Sequence, residues 1–198
     1  MSFRNPRTVH ITVIVLCVVL VLSGGIFYYV SDMDPAFIRE DVLPRGWYRD
    51  VDSTDYQSAR FGLAQQNRYV YVRETAPPAV LSVLTFHNVL PQSSEDNVMN
   101  TMNAFMKSLA EEQGINITDK RSGTTGKSLY LEFEGNRGLD RFRSEQINLY
   151  GECWKAGYGT YVMCIGMAKV GESSLITQDR DTISYDEIRE VLIPSVRQ

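Results

Sequence analysis

One stretch limits what this chain can be. From Thr8 to Ser31 there is no Asp, Glu, Lys or Arg, and Ile11–Val30 reads ITVIVLCVVLVLSGGIFYYV. Twenty residues at about 1.5 Å each give about 30 Å of helix, the thickness of the hydrocarbon core of a bilayer. Arg4 and Arg7 precede the run and Asp32-Met33-Asp34 follow it. By the positive-inside rule the N-terminus is cytoplasmic and the remainder lies outside. Phe27, Tyr28 and Tyr29 fall where an outer aromatic belt would sit. A cleaved signal peptide would use the small residues Ser23, Gly24 and Gly25, but the apolar run continues past them, which favours an uncleaved anchor. Cys17 follows Leu16 rather than the small residue a lipoprotein signal needs, so it reads as a small hydrophobe.

The chain as a whole has the composition of a folded protein. It has 198 residues, 43% hydrophobic and 22% charged, which excludes a disordered or disulfide-dense chain and allows one domain plus an appendage. All 24 Asp and Glu residues lie after Ser31, so the exported part is acidic with dispersed bases, and nucleic-acid binding is not expected. The one basic cluster, Arg137, Arg141 and Arg143, suits the solvated start of a strand or contact with an anionic partner or lipid headgroup.

The predicted organisation is a cytoplasmic N-terminus and anchor over 1–31, a short stalk or linker, or else a lead-in helix, over 32–44, and an extracytoplasmic α+β domain over 45–198. Aromatic and β-branched runs between turn residues predict strands near 47–51, 59–65, 69–74 and 80–87. The 3.6-residue spacing of Val98, Met102, Phe105, Met106 and Leu109, with Gly114 beyond, predicts a helix over 95–113. Further strands follow near 115–121, 127–134, 142–155 and 161–168. A final helix starts near Ser184, where Ser184 and Glu187 form a capping-box pattern, and Pro194 ends or bends it. The expected fold is a mostly antiparallel sheet covered by helices. The Gly46-Trp47 opening, this element order and the closing IPSV of Ile193–Val196 resemble the PsbP/Mog1-type α/β/α sandwich over about 45–198. That resemblance implies a non-enzymatic assembly, binding or accessory module and carries over no site residue.

Cys153 and Cys164 flank Gly157-Tyr158-Gly159, a turn signal between two apolar strands. A loop over 157–160 sets Ala156 opposite Tyr161, and hence Cys153 opposite Cys164. Opposed Cβ atoms lie about 4.5–5.5 Å apart, close enough to be drawn into a disulfide in an oxidising compartment. Two buried free thiols are the other reading. A metal centre is not expected, since His87 is the only imidazole outside the head of the chain, and no cofactor is implied. Any triad must also use His87, and no G-x-S-x-G elbow is present. The GTTGKS of Gly123–Ser128 has Arg121 where a phosphate loop needs its first glycine, and it precedes a strand, so it reads as a hairpin turn. Asp179-Arg180-Asp181 lacks the glycine and terminal Glu of a calcium loop. Glu132 and Glu134 share one face of a strand, where a polar outer surface explains them as well as paired acid-base chemistry does. Asn116-Ile117-Thr118 is a glycosylation sequon if the domain is exported to a compartment with the machinery.

These readings converge on a single-pass membrane protein carrying a binding or assembly module, with the bilayer and a protein of the membrane or envelope as partners. The alternatives are an envelope domain that binds or hydrolyses small molecules through His87, and a structural subunit of a membrane complex.

Overall fold

A computed structural model describes residues 35–58, 64–88, 95–157, 159–174 and 178–196. The apolar run 11–30, and with it the expected anchor, lies outside the described residues. Among those described, no helix is long and apolar enough to cross a membrane.

Two antiparallel meanders build the domain. β1 (Trp47–Ser58), β2 (Ala64–Arg73) and β3 (Ala79–Asn88) form the first, and β4 (Asn116–Thr125), β5 (Ser128–Gly138), β6 (Arg143–Gly157) and β7 (Thr160–Ser174) the second. Helix α1 (Glu95–Glu112) joins them and carries the chain from β3 to the far edge. The second meander then returns until β7 pairs with β3, giving the order β1-β2-β3-β7-β6-β5-β4. Short β8 (Gln178–Arg180) pairs with Gly171–Ser173 of β7, past the end of the β3 pairing. The chain closes with α2 (Ile183–Glu187), a π-helical turn (Ile188–Leu192) and α3 (Ile193–Val196).

Each sheet face carries its own core. On one, Leu131, Phe133, Leu149, Met163 and Ile165 lie under Val98, Met102, Met106 and Ala110 of α1. Gly151 permits this close approach, because a Cβ there would stand 2.6 Å from the Met106 sulfur. The α1 C-terminus is a complete Schellman motif: Ile115 N–H donates to Ala110 O, Gly114 N–H donates to Glu111 O, and Gly114 takes a φ of 65°. On the other face, Tyr71, Leu81, Val83, Tyr150 and Cys164 pack under Tyr185, Ile188, Leu192 and Ile193. Glu187 fastens the C-terminal run to the first meander through the Trp47 indole N–H at 2.7 Å and an ion pair with Arg73. Residues 35–198 form one compact unit, with both cores drawn wholly from within it.

Three expectations are corrected. The first is the helix-covered α/β/α sandwich: the domain is dominated by one eight-stranded sheet, and among the described residues helix is confined to a single 3₁₀ turn at Glu40–Val42, α1 and the short C-terminal run. β4 continues through Gly123-Thr124-Thr125 and β7 to Ser174, where the sequence had shown only turns or nothing periodic. An edge strand needs no apolar face, and β4 is almost wholly exposed, so hydrophobic patterning could not reveal its length. The second is the stalk. Ile38 is buried, its N–H donates to the Tyr71 hydroxyl at 2.7 Å, and that hydroxyl donates back to the Ile38 carbonyl at 3.2 Å. Ala36 N–H donates to Thr85 Oγ1 at 2.8 Å, so residues 35–44 are a strap across the sheet. The third is the final helix: Ser184 does not cap it but donates to the Pro77 carbonyl, and Thr182 takes the N-cap position. Pro194 does not end the helical path. The turn before it widens to π, where the missing proline N–H is accommodated.

Candidate functional site

α1 stops at Glu112 and covers only part of its face of the sheet. Beyond its end, strands β2, β3, β6 and β7 leave a cleft of about 460 Å³ with a floor of Val72, Val80, Ile147 and Met167. One wall is an ion network centred on Glu145. Arg137 reaches Glu145 Oε2 at 2.6 Å, Lys169 reaches Oε1 at 3.0 Å, and Lys169 also meets Glu172 at 3.1 Å. The register explains the grouping: Arg137 opposes Glu145 across β5 and β6, and Lys169 opposes Ile147 across β6 and β7. Burial pushes the Glu145 carboxyl up, but the hydrogen bonds from Arg137 and Lys169 outweigh it and hold it below its ordinary value. The hydrogen bond to Glu145 in turn raises the Lys169 ammonium above its own. Among the described residues the lining holds no imidazole, thiol or hydroxyl. An apolar floor beside fixed, paired charges suits holding an amphipathic molecule.

The sequence had singled out Arg137 alone among these residues. Glu145 and Lys169 carried a usable signal, as charges inside the apolar strands β6 and β7, but only register shows that they meet.

The expected Cys153–Cys164 bridge is not formed, and both are buried free thiols. The hairpin turns in the expected place, but Gly157 pairs with Thr160 instead of lying in the loop, Lys155 faces Tyr161 and Ala156 is left over as a bulge. That one-residue slip puts Cys153 opposite Met163 and Cys164 opposite Glu152, on opposite sheet faces and in different cores. Burial pushes the Cys153 thiol up to about 12 and raises Cys164 as well.

The other candidates are dispersed. His87 has its backbone in β3 opposite Gln65 and Thr160, and its side chain lies outside the described residues. Asn116 is exposed at the start of edge strand β4. Gly126, with a φ of 62°, makes a two-residue turn with Lys127 between the paired residues Thr125 and Ser128, so the GTTGKS stretch is the end of a hairpin whose turn is confined to Gly126-Lys127. Glu132 accepts from the Tyr185 hydroxyl while Glu134 pairs with Arg121 at 3.1 Å, which spends both carboxylates on structure. Arg189 lies 5.5 Å from the Tyr150 ring and 5.7 Å from the Tyr185 ring, completing that aromatic cluster. Among the described residues no group of three or more His, Cys, Asp or Glu could hold a metal ion.

No protein-family model matches the chain, and no curated protein matches it. Among solved structures it is similar to LpqN of Mycobacterium tuberculosis, described as involved in cell envelope biogenesis. The identity is 12% and the TM-score 0.41, over 81% of this chain and 83% of that one. This is a weak likeness at fold level.

Proposed function

We propose that this chain is a single-pass membrane protein whose exported domain is a non-catalytic binding module, with its ligand held in the groove beyond α1. The observation that carries the reading is the pairing of the apolar floor of Val72, Val80, Ile147 and Met167 with the Arg137–Glu145–Lys169 wall. Membrane attachment is supported by the charge-free run Ile11–Val30 with Arg4 and Arg7 before it. The ligand class that fits is an amphipathic molecule with an apolar body and a polar or anionic head. Anilinonaphthalene sulfonate, an apolar ring system bearing one anionic group, tests this directly. The protein is expected to bind it saturably at one site, and Met167→Trp, which fills the floor, is expected to weaken binding by about tenfold or more. Equal binding by wild type and Met167→Trp, or no saturable signal, would overturn the reading.

A further inference from the structure

The hairpin joining β5 to β6 presents Leu139 and Phe142 to solvent, 44% and 61% exposed. The turn is held rigidly by its own bonds. Leu139 N–H donates to Arg143 O at 2.9 Å, and Asp140 Oδ1 accepts from the N–H groups of Phe142 at 2.8 Å and Arg143 at 3.0 Å. Arg143 also donates to Asp140 Oδ2 at 2.7 Å. The two apolar side chains are therefore held out in water by an ordered loop, so binding through them need not order it first.

Charge at the tip runs against that of the rest of the domain. Arg137, Arg141 and Arg143 stand against Asp140, whereas residues 32–198 as a whole are acidic. Glu145 holds Arg137 and Asp140 holds Arg143, with Glu172 close enough to act on Arg143. Arg141 is exposed and makes no ion pair among the described residues.

We propose that this tip docks on an anionic bilayer surface, with Leu139 and Phe142 entering the headgroup region and Arg141 meeting lipid phosphates. The size of the patch selects this occupant. Two apolar side chains are too few for the buried core of a protein interface of about 1,200–2,000 Å². They suffice for shallow interfacial insertion, to which each arginine at an anionic surface adds roughly fivefold in affinity. The inference does not rest on the groove, since tip and groove share only Arg137 at their junction.

The test uses residues 35–198, the self-contained unit, with vesicles of phosphatidylcholine alone or mixed with phosphatidylglycerol. Co-sedimentation is expected with the mixed vesicles, much reduced with the neutral ones and falling as salt rises. The double variant Leu139→Ser/Phe142→Ser should lose about tenfold or more of this binding while melting as wild type does, since both side chains are exposed. Arg141→Ala should lose a smaller factor. In Phe142→Trp, emission should shift to the blue on mixed vesicles. Binding unchanged in the double variant, or no binding to mixed vesicles, overturns the proposal. So does Arg141-dependent binding to polyglutamate without vesicle binding, which would assign the tip to an acidic protein.

Discussion

Glu145 sits between two cations, and neither has another carboxylate of comparable burial. Glu145→Gln keeps the shape but strands Arg137 and Lys169. Both are partly solvated, so we expect a loss of about 1–2 kcal/mol in urea denaturation, below the cost of breaking a fully buried pair. The pH dependence has a definite sign. The Glu145 carboxyl is lowered in the fold, so its contribution is complete above the ordinary carboxylate value near 4 and is lost as pH falls through the lower folded value. Lys169 is raised, so its share persists below its ordinary ammonium value and is lost as pH rises through the higher folded one. The stability gap between wild type and Glu145→Gln should therefore be widest near neutrality and close in acid. Two glycines offer a second comparison. A Cβ at Gly166 would stand 2.6 Å from Ile188 Cγ2, on a side chain stiff at χ1, whereas at Gly151 it would meet the sulfurs of Met106 and Met102. Gly166→Ala should cost about 2 kcal/mol and Gly151→Ala clearly less, as thermal melts of the two would show.

At the scale of elements, the β6–β7 hairpin settles the cysteine chemistry. Neither Cys153 nor Cys164 should react with a thiol reagent at neutral pH in the native protein, and both should react after unfolding. Mobility on a gel should be the same with and without reductant, and slow native labelling of either thiol would contradict the packing described. What the sequence could and could not show is clearest here. The place of the turn was legible, but the Gly157–Thr160 pairing and the Ala156 bulge were not, because nothing in Lys155-Ala156-Gly157 distinguishes a paired residue from an extra one. α1 was legible to within one residue, since helical periodicity and Gly114 agree on where it runs and stops. The end of the chain misled because Ser184 spends its hydroxyl on Pro77, a contact about a hundred residues away in sequence. The groove was illegible for the same kind of reason: its floor joins Val72 and Val80 of β2 and β3 to Ile147 and Met167 of β6 and β7, two meanders that meet only through the long-range β3–β7 pairing.

The whole domain has both edges guarded against further strand pairing, with Asp50 and Asp52 beside the β1 bulge and Asp119, Lys120 and Arg121 along β4. Its core reaches further toward the N-terminus than composition suggests. A chain starting at Arg45 lacks Ile38 and its hydrogen bonds to Tyr71, and should be about 2–4 kcal/mol less stable than one starting at Pro35 in equilibrium unfolding. Equal stability would show that the strap is dispensable. The same strap decides how the domain responds to tension. A pull applied through residue 34 falls first on the hydroxyl contacts of Thr85 and Tyr71, which open one after another like a peeled strip, while the strand ladders behind them are not yet loaded. Stretched from its N-terminus, the domain should therefore yield in two steps, a small early lengthening as 35–44 lifts off and a later, stronger break of the sheet.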